Sequence, residues 1–565
     1  MPISNNRRSS AQEARAAIER IYIAMRHLFI RGSYKPMGVS GEAINDALLT
    51  LKPEIYGTIA DPERVELDGL LYIFERLPKG IEECRYINLI TKEGFEHSNF
   101  EPITAPKRRR NSYRIDQEQM FIEMTRGKSD VYDILTHLTF MFIESNKIRH
   151  NSMDAKERIR REWGMLEQIV LADQDGQTFN EEVAYTYLSA LLGRTFDEIA
   201  DACKRFAKSK AVNSLFHITY WLGKLAMEEE ENDKDREITF SSTLRQEIGH
   251  HVYGASWAHN IKQLLFEQNL IDRPIHIISS NLHSVMNVLY AKEALKYKMD
   301  VTSMEEIANE LSKSGNKSLR SEVKDFAMGH GMYEIEDHSG ANIGVHIFDT
   351  AKIPAKNLPS NCQPSEGLTD EQKPVILVMD YAFGEQAFET MDELLKPFNK
   401  PDNSEVCLQV QSISIMGKAG TLVGNRGTIL IPNAHVFEGT ADNYPFENQL
   451  HKSDFEGEGL EVIEGPMITV LGTSLQNKSM LQFFQTSSWN MVGLEMEGAH
   501  YQKAIQAASK IRKSIKEDVV IRYAYYASDN PLLTGHTLAS GSLGLTGVKP
   551  TYLITMKILE GIFCG

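Results

Sequence analysis

The sequence predicts an α/β C-terminal domain, a central mixed sheet flanked by helices, behind a mostly α-helical N-terminal domain. Three observations carry that expectation. At 565 residues the chain exceeds what one ordinary hydrophobic core organises. Over roughly the first 265 residues, apolar side chains recur at helical spacing. From about residue 270, short apolar runs bounded by turn residues alternate with helical patterns, the texture of strands and helices built on a sheet. The change falls between residues 266 and 272. It gives a domain of 1–268, expected to regulate or oligomerise, and a domain of 269–565.

The elements follow in order. Ile18, Ile21, Tyr22, Met25 and Leu28 share one helical face, as do Ile134, Leu135, Leu138, Met141 and Phe142. Segments 183–192 and 196–207 repeat the pattern, the second with Phe196, Ile199, Ala200, Cys203 and Phe206. The charged stretch MEEEENDKDREITF (227–240) reads as an exposed connector. PIHIIS (274–279) reads as a strand and NLHSVMNVLYAKEALKYK as the helix after it. MYEIED and NIGVHIFDT (342–350) read as a hairpin joined by His-Ser-Gly, followed by a Pro/Ser/Asn-rich loop (354–373). Then come the strand PVILVMD (374–380), the helix EQAFETMDELLKPF, and the strands QVQSISIMG, GTILIPNAHVF and PMITVLGTS. A helix through 495–512, the strand VVIRYAYYA and a helix around 551–562 close the chain.

Composition excludes several classes. A formal charge of −16 disfavours general nucleic-acid binding. The local exception is Lys107-Arg108-Arg109-Arg110, readable as a solvated loop or as a phosphate-recognising patch. No run approaches the roughly 20 apolar residues of a membrane span. The N-terminal stretch lacks the apolar core of a secretory signal. Cysteines 84, 203, 362, 407 and 564 lie far apart without C-x-x-C, against a disulfide framework or zinc ribbon. A cytoplasmic protein is expected. The histidines of EIGHHVYGASWAH (247–259) do not form H-E-x-x-H, and G-x-S-x-G is absent. No metal and no cofactor are expected.

Three stretches carry chemistry. In IMGKAGTLVGNRG (415–427) glycines follow a strand, where backbone N–H groups can approach an anion or a sugar, or simply turn the chain. The spacing is neither G-x-G-x-x-G nor a Walker pattern. In MVGLEMEGAHYQKAIQAA (491–508), Glu495 and Glu497 stand astride Met496 at an apparent helix start. First-turn glutamates suit the helix dipole, but the apolar neighbours Met491, Val492, Leu494 and Met496 imply a partly buried carboxylate that needs partners such as sugar hydroxyls. In YYASDNPLLTG (525–535), Asp529-Asn530-Pro531 is by itself good turn chemistry.

Taken in order, GKAGTL after a strand, GLEMEGA opening a helix and YYASDNPL after a later strand resemble the nucleoside phosphorylase and nucleosidase superfamily. Within it the nearest likeness is to AMP nucleosidases, whose late motif Ser-Asp-Lys-Pro-Leu is Ser528-Asp529-Asn530-Pro531-Leu532 here. PVILVMDYAFGEQAFETMDELLKPF resembles the strand, glycine turn and helix that precede the glycine segment in that family. The likeness spans roughly 270–565 and lies in motifs. It implies a domain of nucleoside phosphorylase type that cleaves the N-glycosidic bond of a purine nucleotide, AMP to adenine and ribose 5-phosphate first among the candidates.

The resemblance also assigns roles. Asp529 is the acid to the base, in the apolar setting of Tyr525, Tyr526 and Ala527, and must hold a proton near neutral pH, which burial favours. Ser528 orients Asp529 or contacts the base. Glu497, with Met496 and Glu495, holds the ribose; Gly417, Gly420 and Gly384 lend backbone, and Arg426 is a candidate for a 5′-phosphate. The turn DYAFGEQ (380–386) is acidic and lacks the phosphate-binding serine of phosphorylases, which favours water as the attacking group. Related nucleosidases place a glutamate after the first strand; Asn281, His283 and Ser284 stand there instead, leaving His283 or Glu385 as the base. The alternatives are a purine nucleoside phosphorylase, a nucleosidase of unphosphorylated nucleosides, and a non-catalytic nucleotide-binding regulator. Glu497 and Asp529 together argue for an enzyme, because binding alone needs no proton donor to N7. The expected partners are a small purine nucleotide or nucleoside, not nucleic acid or membrane, and a homo-oligomer is implied.

Overall fold

The computed structural model describes residues 5–108, 110–298, 303–353, 368–533 and 544–563. Cys362, Cys564, Arg109 and residues 354–367 of the expected loop lie outside them. The chain divides into two compact units, one of residues 1–250 with 474–480 and one of residues 251–473 with 481–565. No helix among the described residues is long and apolar enough to cross a membrane.

In the first unit the helix Gly127–Asn151 is buried on nearly all sides, including Asp130, Asp133, His137, Glu144 and Lys147. A helix enclosed all round is the centre of its domain, and the expected face of Ile134, Leu135, Leu138, Met141 and Phe142 lies wholly inside it. The mostly helical expectation missed a six-stranded sheet. Its strands are β1 (Ser33–Tyr34), β2 (Tyr86–Ile90), β3 (Pro102–Thr104), β4 (Asn111–Arg114), β5 (Gln119–Glu123) and β6 (Glu237–Phe240), in the order β1-β6-β2-β5-β4-β3. The charged stretch 227–240 is therefore no exposed connector. It finishes the helix Leu215–Asn232 and then supplies β6, between β1 and β2.

Of the basic run 107–110, Lys107 is exposed and paired with Glu75, whereas Arg108 and Arg110 are drawn onto acids and offer no open phosphate patch. Arg108 forks onto Asp133 with two contacts of 2.8 Å, and Arg110 spans Asp130 at 2.8 Å and Asp133 at 2.5 Å. Arg110, Asp130 and Asp133 are all buried. Burial alone would raise the Asp133 carboxyl, but the charges of Arg108 and Arg110, with the Arg108 hydrogen bond, outweigh it and hold the group well below its ordinary range.

The second unit is a ten-stranded mixed sheet with helices on both faces. Its strands are β7 (Pro274–Ser279), β8 (Met332–Ile335), β9 (Val345–Asp349), β10 (Val375–Met379), β13 (Gln409–Thr421), β14 (Ile429–Phe437), β15 (Asn443–Pro445), β16 (Val462–Thr469), β17 (Gly493–Glu495) and β18 (Val520–Asp529); β11 (Phe398–Asn399) and β12 (Glu405–Val406) form a separate ribbon. The unbroken run VILVM of β10 is apolar because both its faces are covered. Val375, Leu377 and Met379 face one core, with the helices Val252–Glu267, Gln386–Leu394 and Gly498–Gln506. Ile376 and Val378 face the other, with the helices Leu282–Ala294 and Val548–Phe563. Strand side chains alternate between faces, so one strand serves two cores.

The long strand β13 does two jobs. It runs parallel to β7 at its start, in the open sheet, and parallel to β18 further along. Its end pairs with β17, β17 with β16, β16 with β14 and β14 with β18, so β13, β18, β14, β16 and β17 close a ring. Closure leaves none of these five as an edge strand. Two expectations change here. Gly417 and Gly420 lie inside β13 rather than in a loop after it, and 493–495 is a strand, with the helix running only from Gly498.

Candidate active site

The three motifs meet where strands of the ring end. Gly420 of β13 pairs with Asp529 of β18 on one side and with Leu494 of β17 on the other. The β13–β18 register shifts between Ala419 and Gly420, so Ser528 is the extra residue of a bulge. Bulges re-aim the side chains beside them. Here the Ser528 hydroxyl reaches the Ala419 carbonyl at 3.1 Å and Asp529 Oδ1 at 2.5 Å, and Asp529 is 0% exposed. Gly417 pairs with Tyr525, and a methyl group on it would make only ordinary contacts with Tyr381 and Tyr525. The protein's own packing does not demand a glycine there.

Arg426 is exposed on the turn between β13 and β14. That turn lies along the end of β18: the Gly427 N–H donates to the Ala527 carbonyl at 2.8 Å, and Asn530 Nδ2 reaches the Gly424 carbonyl at 3.4 Å. The structure brings Arg426 to the motif by its backbone but does not draw its guanidinium into the buried cluster.

The two glutamates have different surroundings. Glu495 is fully enclosed. Its Oε1 accepts from Thr469 Oγ1 at 2.5 Å and lies 3.3 Å from His435 Nδ1. Its Oε2 accepts from the backbone N–H of Glu497 and, at 2.5 Å, of Gly498. Burial alone would raise this carboxyl, but His435, Thr469 and the Gly498 N–H outweigh it and keep the group below its ordinary value. Glu495 is thus tied to protein groups on both oxygens and enclosed, and it is this burial, which Glu497 does not share, that sets it against the ribose-holding role expected of it. Glu497 is half-buried. Its Oε1 accepts the Gly384 N–H at 3.1 Å, and its Oε2 the Met496 N–H at 3.3 Å. Gly384 takes φ +56° in the DYAFGEQ turn, a conformation that favours glycine and turns its N–H toward Glu497.

Glu385 directly follows Gly384 and opens the helix Gln386–Leu394. His283 stands exposed in the first turn of the helix Leu282–Ala294, which Asn281 caps by accepting the Ser284 N–H at 2.8 Å. His283 is near enough to Asp380 for their charges to interact, so it belongs to the β7–β10 side. The structure therefore joins Gly420, Ser528 and Asp529 at one junction and Gly384, Glu497 and Met496 at the next, with Glu495 beneath the second.

Sequence reasoning missed His435, Thr469 and His500. His500 lies one helical turn beyond Glu497, its ring edge-on to Phe437 at 4.8 Å. Burial pushes its imidazole down to about 4 against the pull of Glu385 and Glu495, leaving it uncharged near neutral pH. The i, i+3 spacing from Glu497 was a visible clue; His435 and Thr469 gave none, being on other strands. Elsewhere among the described residues, Glu82, Glu83 and His217 of the first unit are spaced to hold a cation. Asn213 at 2.6 Å from Glu82, and His217 at 2.7 Å and Arg114 at 2.8 Å from Glu83, already account for that group.

Residues 42–327 and 308–564 match the family of unknown function DUF6909, and the chain belongs to that family. No curated protein matches it. Among solved structures it is similar to the futalosine hydrolase of Helicobacter pylori strain 26695, at 14% identity over 46% of this chain and 88% of that one with a TM-score of 0.26. It is similar to the Campylobacter jejuni 5'-methylthioadenosine/S-adenosyl homocysteine nucleosidase at 11% identity, over 51% and 96%, TM-score 0.30. It is also similar to the Schistosoma mansoni uridine phosphorylase at 13% identity, over 51% and 86%, TM-score 0.30.

Proposed function

We propose that this member of the DUF6909 family hydrolyses the N-glycosidic bond of a purine nucleotide, with AMP, giving adenine and ribose 5-phosphate, as the first substrate to test. The observation that carries the reading is the double pairing of Gly420, with Asp529 on one strand and Leu494, one residue before Glu495, on another. Three stretches far apart in sequence, each weak alone, become neighbours through one glycine.

The chemistry divides between the two acids. As the C1′–N9 bond breaks, its electron pair passes to the base. Asp529, oriented by Ser528, gives its proton to N7, so that a neutral base departs. Glu497, held by the Gly384 N–H, accepts from the ribose hydroxyls and favours the positive charge growing on the sugar. A water oxygen bonds to C1′ and loses one proton to a neighbouring base. Glu385 and the uncharged His500, which interact electrostatically, supply groups able to take it; His283 is the alternative on the β7–β10 side. Exposed Arg426 is the cation offered to a 5′-phosphate.

The test is release of free base from AMP by the purified protein, with and without inorganic phosphate, beside Asp529→Asn. Adenine and ribose 5-phosphate formed without phosphate, and lost in the variant, is the expected result. Strict dependence on phosphate would make the protein a phosphorylase. Binding of AMP without release of base from AMP, adenosine or inosine would leave a nucleotide sensor.

A further inference from the structure

We propose that Glu495, backed by His435 and Thr469, is a positioning residue that fixes Glu497 against the two ribose hydroxyls, so that the site selects ribonucleotides over 2′-deoxyribonucleotides. The inference rests on the proposed function of the site and says which part of the substrate the buried cluster serves.

The first N–H groups of a helix have no partner within it and commonly face an anion or water. At Gly498–Gln506 they are already occupied. Glu495 takes the N–H of Glu497 and of Gly498, and the Thr469 hydroxyl takes that of Ala499 at 3.0 Å while donating to Glu495. Three successive peptide groups are pinned around the α-carbon that carries the Glu497 side chain. The same occupation removes this helix start as a phosphate cradle, in keeping with a sugar at this place.

His435 shows that the support is built. It is 0% exposed, stacked on Phe446 with ring centres 5.3 Å apart and met edge-on by Tyr523 at 4.8 Å. Its Nδ1 lies 3.3 Å from Glu495 without the geometry of a hydrogen bond, and its Nε2 has no hydrogen-bond partner among the described residues. A buried imidazole is costly unless something gains from it, and the acid it meets is Glu495. Gly498 lets the ring in: a Cβ there would lie 2.3 Å from His435 Cε1. His435, Glu495, the 497–498 peptides and the Glu497 carboxylate thus form one chain of contacts ending on the Gly384 N–H.

A carboxylate with both oxygens oriented can discriminate a diol from a single hydroxyl, because the deoxy sugar leaves one of the two hydroxyl contacts unmade. The experiment compares kcat/KM for base release from AMP and 2′-dAMP. The wild type is expected to prefer AMP by about 100-fold or more. Glu495→Ala should bring the two within about threefold of each other, whereas Glu495→Gln, which keeps an acceptor for the 497 and 498 N–H groups, should retain most of the preference. His435→Phe, which removes the polar group facing Glu495, should fall between them. A parallel loss on both substrates in Glu495→Ala, with the ratio unchanged, would mark a merely structural role and overturn the proposal. If Glu495→Ala does not fold, an unchanged ratio in His435→Phe does the same. Should the wild type bind without releasing base, affinities for AMP and 2′-dAMP give the same comparison, and equal affinities overturn the inference while leaving a nucleotide site. Failure to bind or cleave either nucleotide would sink the reading beneath it.

Discussion

Each unit buries a cluster of charge, and the two clusters are built on opposite principles. In the first, Arg108 and Arg110 meet Asp130 and Asp133 directly, cation against anion, with His137 alongside. In the second, the contacts seen for Glu495 and Asp529 include peptide N–H groups and the hydroxyls of Thr469 and Ser528, with the His435 ring 3.3 Å from Glu495. A carboxylate locked to a guanidinium cannot easily change its charge or reach a ligand, and its removal strands a partner. One held by dipoles at the end of a strand is fixed in place without being neutralised. The first arrangement fastens a helix to its sheet; under the proposed function, the second is where Asp529 would act on a ligand while Glu495 stays tied to the protein.

Substitutions in the two clusters should therefore separate stability from activity. The largest effect is expected from Asp529→Asn, which should lower kcat for base release by about 100- to 10,000-fold and shift the melting temperature little, since the amide keeps an acceptor for Ser528. A variant that melts early and loses activity only in proportion would place Asp529 with the structural acids. Arg110→Ala is the mirror case. It leaves Asp130 and Asp133 short of a buried cation and should cost about 3–5 kcal/mol in denaturant unfolding, while kcat of the protein that remains folded stays near the wild-type value. Gly498→Ala comes next, because its Cβ must displace the His435 ring. Such overpacking costs about 1–3 kcal/mol, and activity should fall with it because the Glu497 support moves.

How much of this was legible in the sequence follows from the same contrast. β10 was readable because a strand covered on both faces is an apolar run, and β7, β13, β14, β16 and β18 because each carries a short stretch rich in β-branched or aromatic residues, whatever it pairs with. The first unit's sheet was not. NSYR of β4 is polar and four residues long, and EITF of β6 ends a run of acids, so neither reached the threshold of a strand pattern. Nor could Arg108 and Arg110 reveal their ion pairs, because their partners Asp130 and Asp133 lie on another element. At the site the motifs named Asp529, Ser528 and Glu497, and the structure places Ser528 against Asp529 and Glu497 against Gly384. They did not reveal the surroundings of Glu495, which Thr469 and His435 supply from two other strands, and they read GLEMEG as a helix start when its first residues pair in the ring. Chemistry carried by one stretch was visible; chemistry that needs a second strand to finish it was not.

The smallest effect is a slope rather than a loss, and it tests the first cluster alone. His137 is fully buried, and burial pushes its imidazole down to about 3; the pull of Asp133 opposes that shift, while Arg108 and Arg110 add to it. Tyr56 lies 3.2 Å from its Nδ1, and Tyr72 packs edge-on at 5.7 Å. With the folded value below the ordinary one of 6.5, the unfolded chain takes up the proton first as pH falls. Stability is then complete above pH 6.5 and declines toward pH 3, by up to about 1.4 kcal/mol per pH unit. The depressed Asp133 carboxyl adds its own loss only below its ordinary value of 3.8, so the two contributions occupy different windows. His137→Gln should therefore flatten unfolding free energy measured between pH 4 and 6.5 and leave the steeper fall below that range in place. An unchanged slope would mean that His137 is charged in the folded protein, and the first cluster would then hold a proton of its own.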